Sequence, residues 1–154
     1  MSSRLFEEVR EKRGLAYEIG SQAKRFEDCG AFVVHAGVDI SKVLPALELI
    51  LKEIKRTSGA LVTAEELRRA KDFFLGQLTL SLEETMDTML WIGESTAVLD
   101  KIYKIEEIIK EVKKITPRQI REAASAIFKR ENLALALIGP LQGRETEIRD
   151  RLRI

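Results

Sequence analysis

The spacing of the apolar residues changes along this chain, and that change fixes the fold class. Between Leu15 and Phe26 they recur at every second position: Leu15, Tyr17, Ile19 and Ala23 share one face, while Glu18, Gln22 and Lys24 take the other. That is the pattern of a strand with one wet face. Ala31 to Val38 is rich in β-branched and apolar residues, and Glu27-Asp28-Cys29-Gly30 between them supplies turn chemistry, so the two segments predict an antiparallel hairpin. Beyond Asp39 the repeat lengthens to that of a helix, with Val43, Leu44, Leu47, Ile50, Leu51 and Ile54 on one face and Glu48, Lys52 and Lys55 opposite. Strands and helices run in separate blocks, which is the signature of an α+β fold.

Local punctuation sets the element boundaries. Leu5, Phe6 and Val9 at helical spacing after Ser2 and Ser3, with Gly14 beyond them, predict a short first helix ending near Lys12. Pro45 falls in the first turn of the next helix, where its missing N–H costs least, and Thr57-Ser58-Gly59 ends it. Thr63-Ala64-Glu65-Glu66 is a capping box that opens a long helix with Leu67, Ala70, Phe74, Leu78 and Leu82 on its buried face. A bend near Glu83 to Thr85 leads into a second helical piece through Met89, Trp91 and Ile92. Ile105, Ile108, Ile109, Val112 and Ile115 mark another helix, and Thr116-Pro117-Arg118-Gln119 combines a cap, a proline at the first helical position and a reciprocating glutamine. Leu133 to Ile138 alternates large apolar residues with alanine between Asn132 and Gly139-Pro140, and is expected to form a buried third strand. A helix over about Glu145 to Leu152 closes the chain. Three strands make a thin sheet for so many helices.

Composition excludes several function classes. The 154 residues are 45% hydrophobic, enough for one core, and no linker divides them, so residues 1–154 are expected to form a single unit. Lys plus Arg number 26 against 25 Asp plus Glu, a net charge of +1 that offers no field to nucleic acid or a membrane surface. Neither a membrane-spanning apolar run nor a secretory signal is written in the sequence. With Cys29 the sole cysteine, no intrachain disulfide can form, and a reducing, cytoplasmic setting is expected.

The chemistry of a self-sufficient hydrolase is missing. A catalytic zinc takes three protein ligands plus water, and with His35 the sole histidine neither H-E-x-x-H nor H-x-x-E-H can be written. No metal site and no catalytic residue is therefore assigned to this chain, and His35 reads as a packed or edge residue of its strand. Gly93-Glu94-Ser95-Thr96-Ala97 has the look of a nucleophile elbow but sits in a helical pattern. The pairs Glu65-Glu66, Glu83-Glu84 and Glu106-Glu107 stand near helix starts, where negative charge suits the backbone N–H groups. Gly139-Pro140-Leu141-Gln142-Gly143 lacks the basic residue of a phosphate loop.

Met1 to Tyr17, above all Arg4-Leu5-Phe6-Glu7-Glu8-Val9-Arg10-Glu11-Lys12-Arg13-Gly14-Leu15-Ala16-Tyr17, resembles a segment of the pitrilysin and insulinase family of zinc metallopeptidases, and most of all its bacterial processing-peptidase branch. The resemblance continues through Gly30-Ala31-Phe32, Thr63-Ala64-Glu65-Glu66-Leu67, Ala70-Lys71, Gly76, Ser81-Leu82-Glu83, Thr116-Pro117 and Asn132-Leu133 to Gly139-Pro140. It implies two similar α+β domains per subunit, with the zinc motif in the first only, and makes this chain the later part of the second: an antiparallel-rich sheet with helices on one face, truncated at its start. Zinc is then expected in the intact parent enzyme and no cofactor in this chain.

The resemblance also assigns roles and partners. Arg13 hydrogen-bonds the substrate backbone, and Tyr17 donates its hydroxyl to the oxyanion that develops as the peptide carbonyl is attacked; the plain structural roles are helix capping for Arg13 and hairpin packing for Tyr17. The expected partners are a peptide substrate, the N-terminal zinc-binding domain and, because a half-built domain exposes edge backbone and apolar surface, a second copy of the chain. On this reading the chain is inactive alone and closes the chamber of a metalloendopeptidase. The alternative is an inactive partner or scaffold subunit of a peptidase-like complex.

Overall fold

In a computed structural model that describes residues 3–26, 28–99 and 102–152, a π-helical turn (Phe6–Glu11) leads into strands β1 (Ala16–Arg25) and β2 (Gly30–Val38). Six α-helices follow: α1 (Val43–Gly59), α2 (Ala64–Ser81), α3 (Thr85–Leu99), α4 (Ile105–Lys114), α5 (Pro117–Ile127) and α6 (Glu145–Arg151). The chain divides into two compact units, one of Met1–Lys24, Gly30–Ala60 and Arg121–Ile154, the other of Arg25–Cys29 and Leu61–Ile120.

In the first unit α1 is the central element, because its apolar residues serve two layers. Leu49 packs with Val9, Ala16 and Ile19 beneath the hairpin, joined by Leu5, Leu15, Val34 and Val38. Leu47 and Leu51 pack with Ile148 of α6, joined by Leu44, Leu133 and Leu141. Val9 is wholly buried and pins the first turn to this core. Asp39 starts the approach to α1 by accepting from the Ser41 N–H at 2.8 Å, and the Ser41 hydroxyl bond holds its carboxyl below the ordinary range. Glu53, one turn beyond Leu49, is also buried, with Arg56 Nη1 3.6 Å away. Phe32 of β2 meets Phe128 edge-on, with ring centroids 5.1 Å apart, and Arg151 of α6 pairs with Glu48 of α1.

The second unit is built on α2, α3 and α4. Thr63 caps α2 by accepting from the Glu66 N–H at 3.1 Å, the first arm of the expected capping box. Lys71 of α2 donates to the Lys113 carbonyl at 2.7 Å, placing a cation on the last turn of α4. Ile105, Ile108, Ile109, Val112 and Ile115 form the expected half-buried stripe. Both arms of the Thr116 box form: the Gln119 N–H donates to the Thr116 hydroxyl at 3.3 Å, and the Thr116 N–H donates to Gln119 Oε1 at 2.9 Å. The expected bend falls where α2 gives way to α3 at Leu82–Glu84.

Three expectations are corrected. Leu133–Ile138 is not a buried strand: a short 3-10 turn (Arg130–Asn132) precedes it, its backbone pairs with no described strand, and Leu135, Leu137 and Ile138 are exposed. The alternation is present, but the described sheet is the β1–β2 hairpin alone, so no ladder reaches this segment. On α2 only Leu67 of the expected apolar face is buried; Ala70 and Phe74 are exposed and Leu78 and Leu82 half-buried. Tyr17, in phase with Ile19 in the sequence pattern, is 87% exposed, while Ala16 and Ile19 are the β1 residues buried in the Val9 cluster. Ser3 caps the first turn through the Phe6 N–H at 3.2 Å; Ser2, the other expected cap, and Glu27 of the turn lie outside the described residues.

Candidate functional site

The segment from Glu8 to Tyr17 gathers the residues singled out for substrate contact. Here the helix widens by one residue, as the Lys12 N–H reaches back to the Glu7 carbonyl at 2.9 Å. Gly14, at φ +56°, reverses the chain. Its own N–H bonds the Arg10 carbonyl at 2.9 Å, and the Leu15 N–H bonds the Val9 carbonyl at 2.8 Å, so the reversal is tied to the wholly buried Val9. Lys42, just ahead of α1, donates to the Gly14 carbonyl at 3.0 Å and fixes the turn from the other side.

On this frame Arg13 and Tyr17 differ. Arg13 Nη1 donates to Glu8 Oε2 at 3.0 Å and reaches the Glu8 carbonyl at 3.5 Å, so part of its fork is spent on the helix it follows. Lys12 Nζ bonds the other carboxylate oxygen of Glu8 at 2.6 Å. Those bonds, Lys12's first and then Arg13's, hold the Glu8 carboxyl below its ordinary value and raise Lys12. Tyr17 stands clear at the start of β1, and its hydroxyl bonds to no described residue. The turn thus presents a phenol O–H and the unspent N–H groups of a guanidinium, all hydrogen-bond donors suited to a carbonyl or carboxylate. Donors of this kind suit binding and polarising a carbonyl.

His35 lies on the hairpin. The Phe26 N–H to Cys29 carbonyl bond, 2.9 Å, sets a register that places His35 across from Gly20. The ring covers that glycine so closely that an added Cβ meets Cε1 at 2.7 Å, and Nε2 is 4.0 Å from Glu18 Oε1. His35 is a half-exposed ring lying over Gly20 of the neighbouring strand. Ser95 is in the middle of α3 and not on a strand-to-helix elbow. Cys29 is a free, exposed thiol in the hairpin turn. Among the described residues no helix is long and apolar enough to cross a membrane.

Glu8 and Lys42 are the contributors that the sequence reading passes over. The four-residue spacing of Glu8 and Lys12 signals the first. Nothing local signals Lys42, whose partner is 28 residues away.

Residues 1–74 match the family model described as the peptidase M16 inactive domain. An uncharacterized zinc protease of Streptomyces coelicolor is 36% identical over 145 residues, which cover 94% of this chain and 31% of that protein. One from Bacillus subtilis is 34% identical over 140 residues, 91% of this chain and 34% of the relative. The chain thus spans about a third of the length of these relatives. A crystal structure of a peptidase M16 inactive domain from Pseudomonas fluorescens superposes with TM-score 0.71 at 23% identity, covering 80% of this chain and 29% of that one. A chain of complex III2 from Candida albicans, in a structure with Inz-5 bound, gives TM-score 0.74 at 20% identity over 82% of this chain and 30% of its own length. At those identities the two structures speak for the fold.

Proposed function

From its membership of the M16 peptidase family, whose inactive domain it matches, we propose that this chain is the non-catalytic C-terminal portion of a zinc-dependent metalloendopeptidase of the processing-peptidase type. Residues 1–154 form part of one domain of that enzyme, in the cytoplasm, where the domain closes the substrate chamber and holds an extended peptide against the zinc-binding N-terminal domain. The observation that carries this reading is Tyr17. A phenol that the strand pattern assigns to the buried face is instead 87% exposed, at the end of a turn braced by Val9, Gly14 and Lys42. Bracing a solvent-facing donor suits contact with a ligand better than packing. In the intact enzyme Tyr17 donates to the carbonyl oxygen under attack, and Arg13 donates to the peptide backbone beside it.

The donor set of this chain does not suit zinc. Its one imidazole covers Gly20 and faces a single carboxylate, Glu18, and its one thiol is in the hairpin turn. Zinc and the activation of water are assigned to the N-terminal domain of the parent, and this chain alone is inactive.

A second reading, an inactive partner or scaffold subunit, is favoured by the Arg13–Glu8 contacts, which give the guanidinium a purely structural occupation. Tyr17→Phe in the parent enzyme decides between them. The peptidase reading expects kcat to fall about tenfold or more, the loss of one oxyanion donor, with KM and thermal stability nearly unchanged. An unchanged kcat removes the oxyanion role, and a parent with no chelator-sensitive peptidase activity at all supports the scaffold.

A further inference from the structure

The peptide group that joins Gly14 to Leu15 is held at both ends. Its N–H, that of Leu15, donates to the Val9 carbonyl at 2.8 Å, and its carbonyl, that of Gly14, accepts from Lys42 Nζ at 3.0 Å. Val9 is wholly buried, so the first bond ties the peptide to the core. Lys42 supplies the second hold. A glycine at φ +56° is where a peptide plane turns over most readily, because no Cβ restricts it, and a clamp on both sides of the plane opposes that freedom.

Leu15 and Ala16 separate the clamped peptide from Tyr17. Ala16 is 6% exposed and packed in the Val9 cluster, so the backbone is fixed in position just before the phenol and in orientation one residue earlier. Tyr17 itself is 87% exposed. Among the described residues its aim is set by the backbone beneath it and not by packing around the ring.

The helix that Lys42 precedes gains nothing from it. Lys42 stands at the N-terminal end of α1 and makes no side-chain cap there, and a cation at that end opposes the helix dipole. The Asp39 turn delivers it: the Asp39 carboxylate accepts from the Ser41 N–H at 2.8 Å and the Asp39 carbonyl from the Lys42 N–H at 2.9 Å, which returns the chain from the end of β2 toward the Gly14 reversal. A charge set against its own helix and spent on a carbonyl 28 residues away is a local conflict of the kind that proteins keep at functional sites.

We propose that Lys42 is a positioning residue for Tyr17: by holding the Gly14 carbonyl it fixes the peptide that directs β1 into the site, and so sets the phenol where it meets the carbonyl under attack. Lys42 touches no substrate. The inference rests on the oxyanion role given to Tyr17 above and names the residue that keeps that role in register. A donor misplaced by about 1 Å costs catalysis far more than it costs folding.

The test uses the parent enzyme and one fluorogenic peptide. Lys42→Met keeps the length of the side chain and removes the donor. It should lower kcat about threefold to tenfold, the factor set by one exposed hydrogen bond, with KM and the thermal midpoint nearly unchanged. Lys42→Arg, which still donates, should restore most of the rate. On a Tyr17→Phe background Lys42→Met should change kcat by less than about twofold, because the hydroxyl that it positions is gone. Amide exchange at Leu15 should quicken in Lys42→Met, which reads the clamp without hydrolysis. Equal losses with and without the Tyr17 hydroxyl would make Lys42 a general support and overturn the inference, as would Leu15 exchange that ignores the substitution. A kcat that falls with Tyr17→Phe and not with Lys42→Met overturns it while the oxyanion role stands. A kcat indifferent to Tyr17→Phe removes that role and this inference together.

Discussion

Replacing Gly14 isolates the energy with which the candidate site is held. At φ +56° the residue sits in the left-handed region, and a Cβ built there meets nothing within 4 Å, so Gly14→Ala adds no clash and its effect is confined to the backbone. Placing an L-residue in that region costs about 1–2 kcal/mol. Alanine's smaller entropy in the unfolded chain, about 0.4–1 kcal/mol, offsets part of this, and the folded-state cost at positive φ exceeds it. A net loss of about 1 kcal/mol is expected, which moves a urea midpoint by about 0.5 M. Gly14→Asn should recover part of it, since asparagine tolerates left-handed backbone by bonding locally. Urea unfolding followed by far-UV circular dichroism measures the loss. Amide exchange at Leu15, whose N–H bonds the Val9 carbonyl at 2.8 Å, reports whether the turn itself has loosened. An alanine variant as stable as the parent, or an asparagine variant no better than alanine, would refute the argument that backbone conformation alone makes glycine necessary here.

Three further outcomes are expected. Gly20→Ala forces the His35 ring aside, but the ring is half-exposed and free to turn, so the loss should stay below about 1 kcal/mol; NMR contacts between the ring and residue 20 should rearrange, and a much larger loss would mean that the ring is locked. Thr116→Ala removes the acceptor for the Gln119 N–H and should cost about 1 kcal/mol by urea unfolding, with Gln119→Ala costing less. Because Lys12, then Arg13, hold Glu8 below its ordinary value of 4.5, the carboxylate binds its proton less readily in the folded chain. Its contribution is therefore present above pH 4.5 and is lost as the pH falls through the lowered value. Arg13 should be released from Glu8 over that acid range, followed by NMR of the guanidinium, and Glu8→Gln should abolish the pH dependence.

What was legible in the sequence is what a few neighbouring residues decide. Thr63, Thr116 with Gln119, and Gly14 each act within a few positions of themselves, and each forms the cap or reversal that its chemistry dictates. The hairpin was legible for the same reason: a short turn brings β1 and β2 together. The family resemblance and the role it suggests for Arg13 and Tyr17 come from a contiguous run; Arg13 precedes the Gly14 reversal and Tyr17 stands in β1. The long-range supports were not legible, since neither Lys42 on the Gly14 carbonyl nor Arg144 on the Ile40 carbonyl leaves a mark on the adjoining sequence.

The apolar patterns failed in a more informative way. Hydrophobic periodicity states which face of an element is to be covered, and it is silent on what covers it. Phe74 on α2 keeps helical phase with buried Leu67 and is 49% exposed; Leu135 and Leu137 keep strand phase with half-buried Leu133 and are exposed in turn. These residues behave as parts of interfaces whose other side the described residues do not supply. Uncovered apolar helix surface loses part of the hydrophobic stabilisation that its pattern anticipates. Uncovered strand backbone keeps free donors and acceptors that water can satisfy but that another strand satisfies while burying leucine against leucine.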